Sequence, residues 1–220
     1  MTTDTASIIP ADVDRPQIRG QGWGLTIWLS FLLLTIYLIM ALFPGQIAPY
    51  DPIEQDIPNR LQYPSAEHLF GTDELGRDLF SRIVHGARIS LGTAIVAVLV
   101  SLGLGVPVGI VSGYVGGRVD EVLSRATDIL LAFPGILIAM TIIAITGKNP
   151  LMIAIVIGIV ATPAFVRVTR AITLKNRDLL YVDAIRSAGA SHFYIMTFTI
   201  LPNCLNEIYI QALLIASRAI

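Results

Sequence analysis

The sequence predicts an all-α fold, a polytopic transmembrane helical bundle with about five spans. Composition is the first reason: hydrophobic residues fill 54% of 220 positions and charged residues 14%, against about 45–50% and roughly 25% in an average soluble domain. Patterning is the second, because the apolar residues fall in long uncharged runs and the charges fall between them. Run length is the third. A helix needs roughly 20 apolar residues to cross a hydrocarbon core of about 30 Å, where every backbone polar group must be bonded within the chain.

Taken in order, residues 1–22 form a polar tail and residues 23–44 the first span. A cleaved signal peptide is not the reading of that span, because its apolar stretch exceeds about 7–15 residues and no small-x-small site precedes Pro44. Residues 45–88 form a long connection, 89–112 the second span and 113–127 a short loop. Residues 128–146 are the third span, entered at Asp128. Gly147-Lys148-Asn149-Pro150 is a turn signal, followed by a fourth span at 151–168. Residues 169–203 are a second long connection, and 204–220 an incomplete fifth span containing Glu207 and Arg218.

Lys and Arg in the connections orient the bundle. With the N-terminus in the cytoplasm, the inner segments hold Arg15, Arg19, Arg118, Arg125, Arg167, Arg170, Lys175, Arg177 and Arg186. The outer ones hold Arg60, Arg77, Arg82, Arg88 and Lys148, so nine stand against five. The net charge of −1 gives no case for nucleic-acid capture. One cysteine, Cys204, excludes an internal disulfide and a cysteine-based metal site, and His68, His85 and His192 show no ligand spacing.

The first connection opens proline-rich, which predicts extended, irregular chain. It changes character at Gly71-Thr72-Asp73-Glu74, where Thr72 can cap a helix and the two acids suit its positive end. Leu75, Leu79, Ile83 and Ala87 recur at helical spacing opposite Arg77, Asp78, Ser81, Arg82 and His85, predicting an amphipathic helix over 73–88 at the outer membrane surface. A solvated charge face without further role is the plainer alternative. In the second connection, Asp178 is a candidate cap for a short helix with an apolar stripe of Tyr181, Ala184, Ile185 and Ala188. Gly189 suits its end, Ser191 can cap a second helix, and Pro202 is expected to stop that helix after Leu201. Two short helices joined at a glycine suit docking into a groove on a soluble partner. An ordinary helical loop is the other reading.

These residues resemble a family. The segment Tyr181-Val182-Asp183-Ala184-Ile185-Arg186-Ser187-Ala188-Gly189-Ala190-Ser191, with Leu201-Pro202-Asn203 after it, is similar to the EAA loop of ABC importer permeases. Gly71-Thr72-Asp73-Glu74-Leu75-Gly76-Arg77-Asp78, Gly113-Tyr114 with Gly116-Gly117, and Ala132-Phe133-Pro134 resemble the dipeptide, oligopeptide and nickel permeases. The resemblance implies the type I importer permease fold in a bacterial inner membrane, with two ATP-binding subunits, a second homologous permease and a periplasmic solute-binding protein as partners. It implies that Asp183, Ala184, Ile185, Ser187, Gly189, Ala190 and Pro202 couple to an ATPase subunit. No residue is expected to be catalytic, to hold a metal or to bind a cofactor. ATP belongs to the partner subunits, since the chain has no G-x-x-x-x-G-K-[ST] motif.

The chain also departs from the family pattern. Glu-Ala-Ala is Asp183-Ala184-Ile185 here, and Thr199 stands where isoleucine is usual. Members carry about six spans, so a chain ending in its fifth is expected to be a fragment or a degenerate copy, unable to support uptake. A nickel permease and a non-functional remnant are the nearest alternatives to a peptide permease. A channel or secondary transporter would place several ionisable groups within spans, and the first four spans are free of charges apart from Asp128 and Arg167 at their boundaries. No nucleophile–base constellation marks an enzyme. The orientation is testable with fusions: a reporter after Gln55 should read the outside and one after Lys175 the cytoplasm, and opposite signals at both sites would reverse the topology.

Overall fold

The computed structural model describes residues 24–147 and 149–220. The tail expected over 1–22, with Arg15 and Arg19, lies outside the described residues, as does Lys148. Every extended element among the described residues is helical: α1 (Leu25–Leu42), α2 (Pro44–Ile47), α3 (Leu79–Val115), α4 (Gly117–Ala132), α5 (Gly135–Thr146), α6 (Pro150–Asn176), α7 (Leu180–Ser187), α8 (His192–Tyr194) and α9 (Leu201–Ala219). A π-helical stretch, Ile195–Ile200, joins α8 to α9 without a break. Four helices are long and apolar enough to cross a membrane, and α4 with α5 makes a fifth candidate bent by 78°. The all-α bundle of about five spans is the fold observed.

Helices α3 and α6 form its centre. Buried Ala97, Ser101, Gly105, Gly109 and Gly113 recur every four residues on α3, one stripe of small side chains on one face. A Cβ on Gly105 would stand 2.9 Å from the Thr162 carbonyl oxygen, on Gly109 2.7 Å from that of Val166, and on Gly113 2.8 Å from that of Arg170. Gly158 returns the relation from α6, 2.8 Å from the carbonyl oxygen of Ala97. Contacts advance together along both chains, so α3 and α6 run parallel. Parallel neighbours require a return crossing between them, and α4 with α5 is the segment available. The bend falls at Phe133-Pro134: Pro134 has no N–H to donate, and it forces Phe133 into extended backbone (φ −93°, ψ 132°). Against this pair α9 lays Ile208 and Ile215, completing a core with Val106, Ile110 and Phe165. The first helix, α1, is exposed along most of its length and meets α3 near its end, where the Tyr37 hydroxyl donates to the Ala87 carbonyl at 3.2 Å.

Several expected boundaries move. The amphipathic helix over 73–88 does not exist as a separate element. The helix starts at Leu79 and continues without interruption through the second span to Val115. Its cap is Asp78, which accepts from the Ser81 N–H at 2.7 Å, rather than Thr72. At about 1.5 Å per residue its 37 residues reach well beyond the hydrocarbon core. The loop expected over 113–127 contracts to a joint at Gly116, at φ +70°, where glycine is needed. The fourth span continues past 168 to Asn176, and the fifth helix begins before 204. Pro202 does not end its helix. It stands in the first turn of α9, directly after the π-helical stretch, and the adjoining Asn203 side-chain amide donates to the Thr199 carbonyl at 2.8 Å.

The Gly71–Asp78 segment is a knot that fastens the long connection to the start of α3. The Thr72 hydroxyl donates to the Asn59 carbonyl (2.6 Å) and accepts from the Gln62 N–H (2.9 Å). Asp73 pairs with Arg77 at 2.7 Å and with Arg82. Burial alone would raise the Asp73 carboxyl, but hydrogen bonds from the Arg77 side chain and from the Arg77 and Leu75 backbone outweigh it, with help from the Arg77 charge, and hold it at about 2. That contribution is complete above the ordinary carboxylate range and is lost as pH falls through about 2. Asp78 also meets His68 Nδ1 at 3.0 Å. Gly71 and Gly76 hold φ near +77° and +76°, and a Cβ on Gly76 would lie 1.8 Å from the Asp56 carbonyl oxygen. Gly76→Ala should therefore unfasten the connection, costing about 2 kcal/mol or more. Gly45→Ala, where a Cβ meets nothing within 4 Å, should be silent. Limited proteolysis between residues 50 and 70 measures the difference, and equal cleavage of both variants would contradict it.

Candidate functional site

The candidate site lies where α3 ends, at the opposite end of that helix from the Gly71–Asp78 knot. It begins with a polar cluster that fixes three helix termini. Asp120 on α4 accepts from Arg170 on α6, with Nη2 to Oδ2 at 2.6 Å, and from the Ser112 hydroxyl on α3. The second guanidinium contact makes the pair bidentate, the strong arrangement for arginine and carboxylate. Arg177 Nη1 donates to the Gly113 carbonyl at 2.9 Å, satisfying an acceptor that the helix end leaves free. Farther along α4, Asp128 pairs with Arg167 at 3.0 Å. Charges expected to mark loops here cross-link helices instead.

Beside this cluster, α7 packs on the π-helical stretch Ile195–Ile200. Leu179 occupies its N-cap position without a side-chain bond, while the expected cap, Asp178, lies 3.4 Å from Arg177 Nε. The inward face also differs from the expected stripe. Val182 is fully buried against the core and Ile185 is half-buried, whereas Tyr181, Ala184 and Ala188 are exposed. Burying Val182 contributes about 1.5–3 kcal/mol, and half-buried Ile185 adds a smaller share. Tyr181 is held at its edge, accepting from Asn203 Nδ2 at 3.0 Å.

The residues expected to couple divide by position. Asp183 is exposed and accepts from Arg186 Nη1 at 2.8 Å. Ala184 and Ser187 point outward, giving α7 a small-residue outer face. Ile185 turns inward, so its bulk packs on the core rather than on the outer face. Gly189 has φ +87° and an open surrounding, and Ala190, half-buried, donates its N–H to the Ile185 carbonyl at 3.3 Å. Ser191 accepts from the Tyr194 N–H at 3.2 Å and starts the next helix. Pro202 lies apart from this face, inside the long helix. The set Gly71, Thr72, Asp73, Gly76, Arg77 and Asp78 is wholly separate.

Sequence reasoning missed the Asp120–Arg170 pair and the contacts of Tyr114. The first had a signal: opposite charges stand close to the ends of two apolar runs, in a chain where charge is sparse. The second had none, because a tyrosine 78 positions from its histidine partner leaves no local pattern. No group of three or more His, Cys, Asp or Glu able to hold a metal occurs among the described residues.

Known proteins share this sequence over most of its length. The family described as "Binding-protein-dependent transport system inner membrane component" matches residues 105–220. The di/tripeptide transport system permease protein of Pseudomonas aeruginosa is 42% identical over 87% of this chain and 65% of its own length. The dipeptide transport system permease protein of Alkalihalophilus pseudofirmus is 40% identical over 84% and 61%. The glutathione transport system permease protein of Pectobacterium atrosepticum is 37% identical over 81% and 60%. The chain thus spans less than two thirds of the length of these relatives. The expectation of a transport component rather than an enzyme agrees with the match. A multi-pass helical bundle, the joint at Gly189 and this similarity lead to one conclusion: the chain belongs to the binding-protein-dependent transport system inner membrane component family.

Proposed function

We propose that this chain is a permease subunit of an ABC importer of small peptides, lining part of the path, with α7 as the helix that couples it to an ATPase subunit. The observation that carries the reading is the construction of α7: an eight-residue helix, anchored by buried Val182 and half-buried Ile185, presenting Ala184, Ser187 and Ala188 outward and ending at a left-handed glycine. A helix with one buried anchor and a small-residue outer face can enter a cleft closely and shift without unfolding the bundle behind it. The relatives named for dipeptide and glutathione transport favour peptides over nickel. The partners are two ATP-binding subunits, a second homologous permease and a periplasmic solute-binding protein. ATP binds and is hydrolysed in the partner subunits, and this chain contributes a path and a lever.

The test is crosslinking from the outer face of α7. Cys204 is buried and is first replaced by serine, and Ser187→Cys then supplies the only thiol. In the assembled complex that thiol should crosslink to a cysteine in the ATPase cleft, with a yield that changes when ATP is added. An assembled complex that gives no crosslink, with or without ATP, would overturn the coupling role.

A further inference from the structure

Tyr114, the penultimate residue of α3, touches both helices that meet at Gly189. Its hydroxyl lies 2.9 Å from His192 Nδ1 at the start of α8, and the two rings meet edge to face with centroids 5.7 Å apart. The Arg186 guanidinium of α7 stands over the Tyr114 ring, 5.9 Å from its centroid, within reach of a cation–π attraction. Asp183 orients Arg186 from the other side at 2.8 Å. Tyr114, Arg186 and His192 line, with Val115 and Met196, an open cavity of about 340 Å³, so these side chains can shift without disturbing the core.

The placement separates a fulcrum from a lever. Val182 holds one part of α7 in the core, while Arg186, one turn on, is held by polar contacts alone. The contact of Arg186 with the ring face tolerates sliding. The hydroxyl–imidazole bond is directional and is lost over a short displacement. Tyr114 itself is rigidly attached, because Arg177 caps the neighbouring Gly113 carbonyl and Gly113 packs on α6.

We propose that Tyr114 is the positioning residue through which displacement of α7 reaches α3, and with it the α3–α6 pair. The proposal rests on the reading of α7 as the coupling helix. When α7 tilts about Val182, the Gly189 joint carries His192 with it, and the directional bond from His192 to the hydroxyl draws Tyr114 and the end of α3 along while Arg186 slides across the ring.

The experiment uses the assembled importer in proteoliposomes, with the chain extended to the length of the relatives it matches and carrying Cys204→Ser and Ser187→Cys as the parent, and measures peptide taken up per ATP hydrolysed. Tyr114→Phe keeps the ring over which Arg186 sits and removes only the hydroxyl. Uptake per ATP should fall about three- to tenfold, while ATP hydrolysis and the Ser187 crosslink stay at the parental level. Combining it with His192→Ala should do no further harm, since both changes remove one bond. Unchanged uptake per ATP in Tyr114→Phe, additive losses in the pair, or loss of the crosslink in Tyr114→Phe would each overturn the role of Tyr114. Absence of the crosslink in the parent would instead overturn the coupling reading itself.

Discussion

Close backbone approach between α3 and α6 is the constraint on which the other contacts depend. Within a bilayer the lipid tails are as apolar as leucine, so burial of apolar surface gives helices little reason to associate. Packing at short range and well-placed polar contacts must do so instead. Ala97, Ser101, Gly105, Gly109 and Gly113 let the α3 backbone reach the carbonyl oxygens of Thr162, Val166 and Arg170, with Gly158 answering from α6. A side chain of any size along that stripe would hold the two axes apart.

That seam determines how the neighbouring elements are placed. Because α3 and α6 are parallel, the chain must recross between them, and the bend at Pro134 belongs to the segment that does so. Because they end together, Ser112, Asp120, Arg170 and Arg177 can meet and tie off three helix termini. Beside the tied end, α7 packs on the π-helical stretch and keeps Val182, with part of Ile185, in the core. A rigid pair of spans carrying a lightly held peripheral helix is suited to receiving motion at one place and passing it on as a unit.

The spans are legible in the sequence because an uncharged run is a one-dimensional signal, and a bilayer leaves a long run few other fates. Gly189 and Ser191 are legible for a similar reason: a left-handed joint and a helix cap are each dictated by one residue. Charge and proline are poor markers of boundaries in this chain. Arg118, Asp120 and Arg170 suggest loops, but helices continue through them, and Asp120 and Arg170 satisfy each other across 50 positions of sequence. Proline has different outcomes at different sites. Pro134 breaks its span, while Pro107 and Pro163 lie inside α3 and α6, and Pro202 stands just after a π-helical stretch whose Thr199 carbonyl is taken up by Asn203. A proline by itself therefore does not mark a boundary in this chain. Thr72 has the chemistry of a cap but does not act as one, because Gly71 and Gly76 turn the chain before any helix can start, leaving Asp78 to begin it.

One stripe of one helix organises the bundle, and a pair of substitutions isolates it. Gly109 and Gly103 lie on the same α3, but a Cβ on Gly109 would stand 2.8 Å from Thr169 Cβ, whereas one on Gly103 meets nothing within 4 Å. Thermal unfolding of the detergent-solubilised chain should therefore show a large loss for Gly109→Leu, of about 3 kcal/mol or more. Gly103→Leu, facing outward, should stay near the parent. Equal stability of the two variants would contradict the claim that the seam organises the bundle.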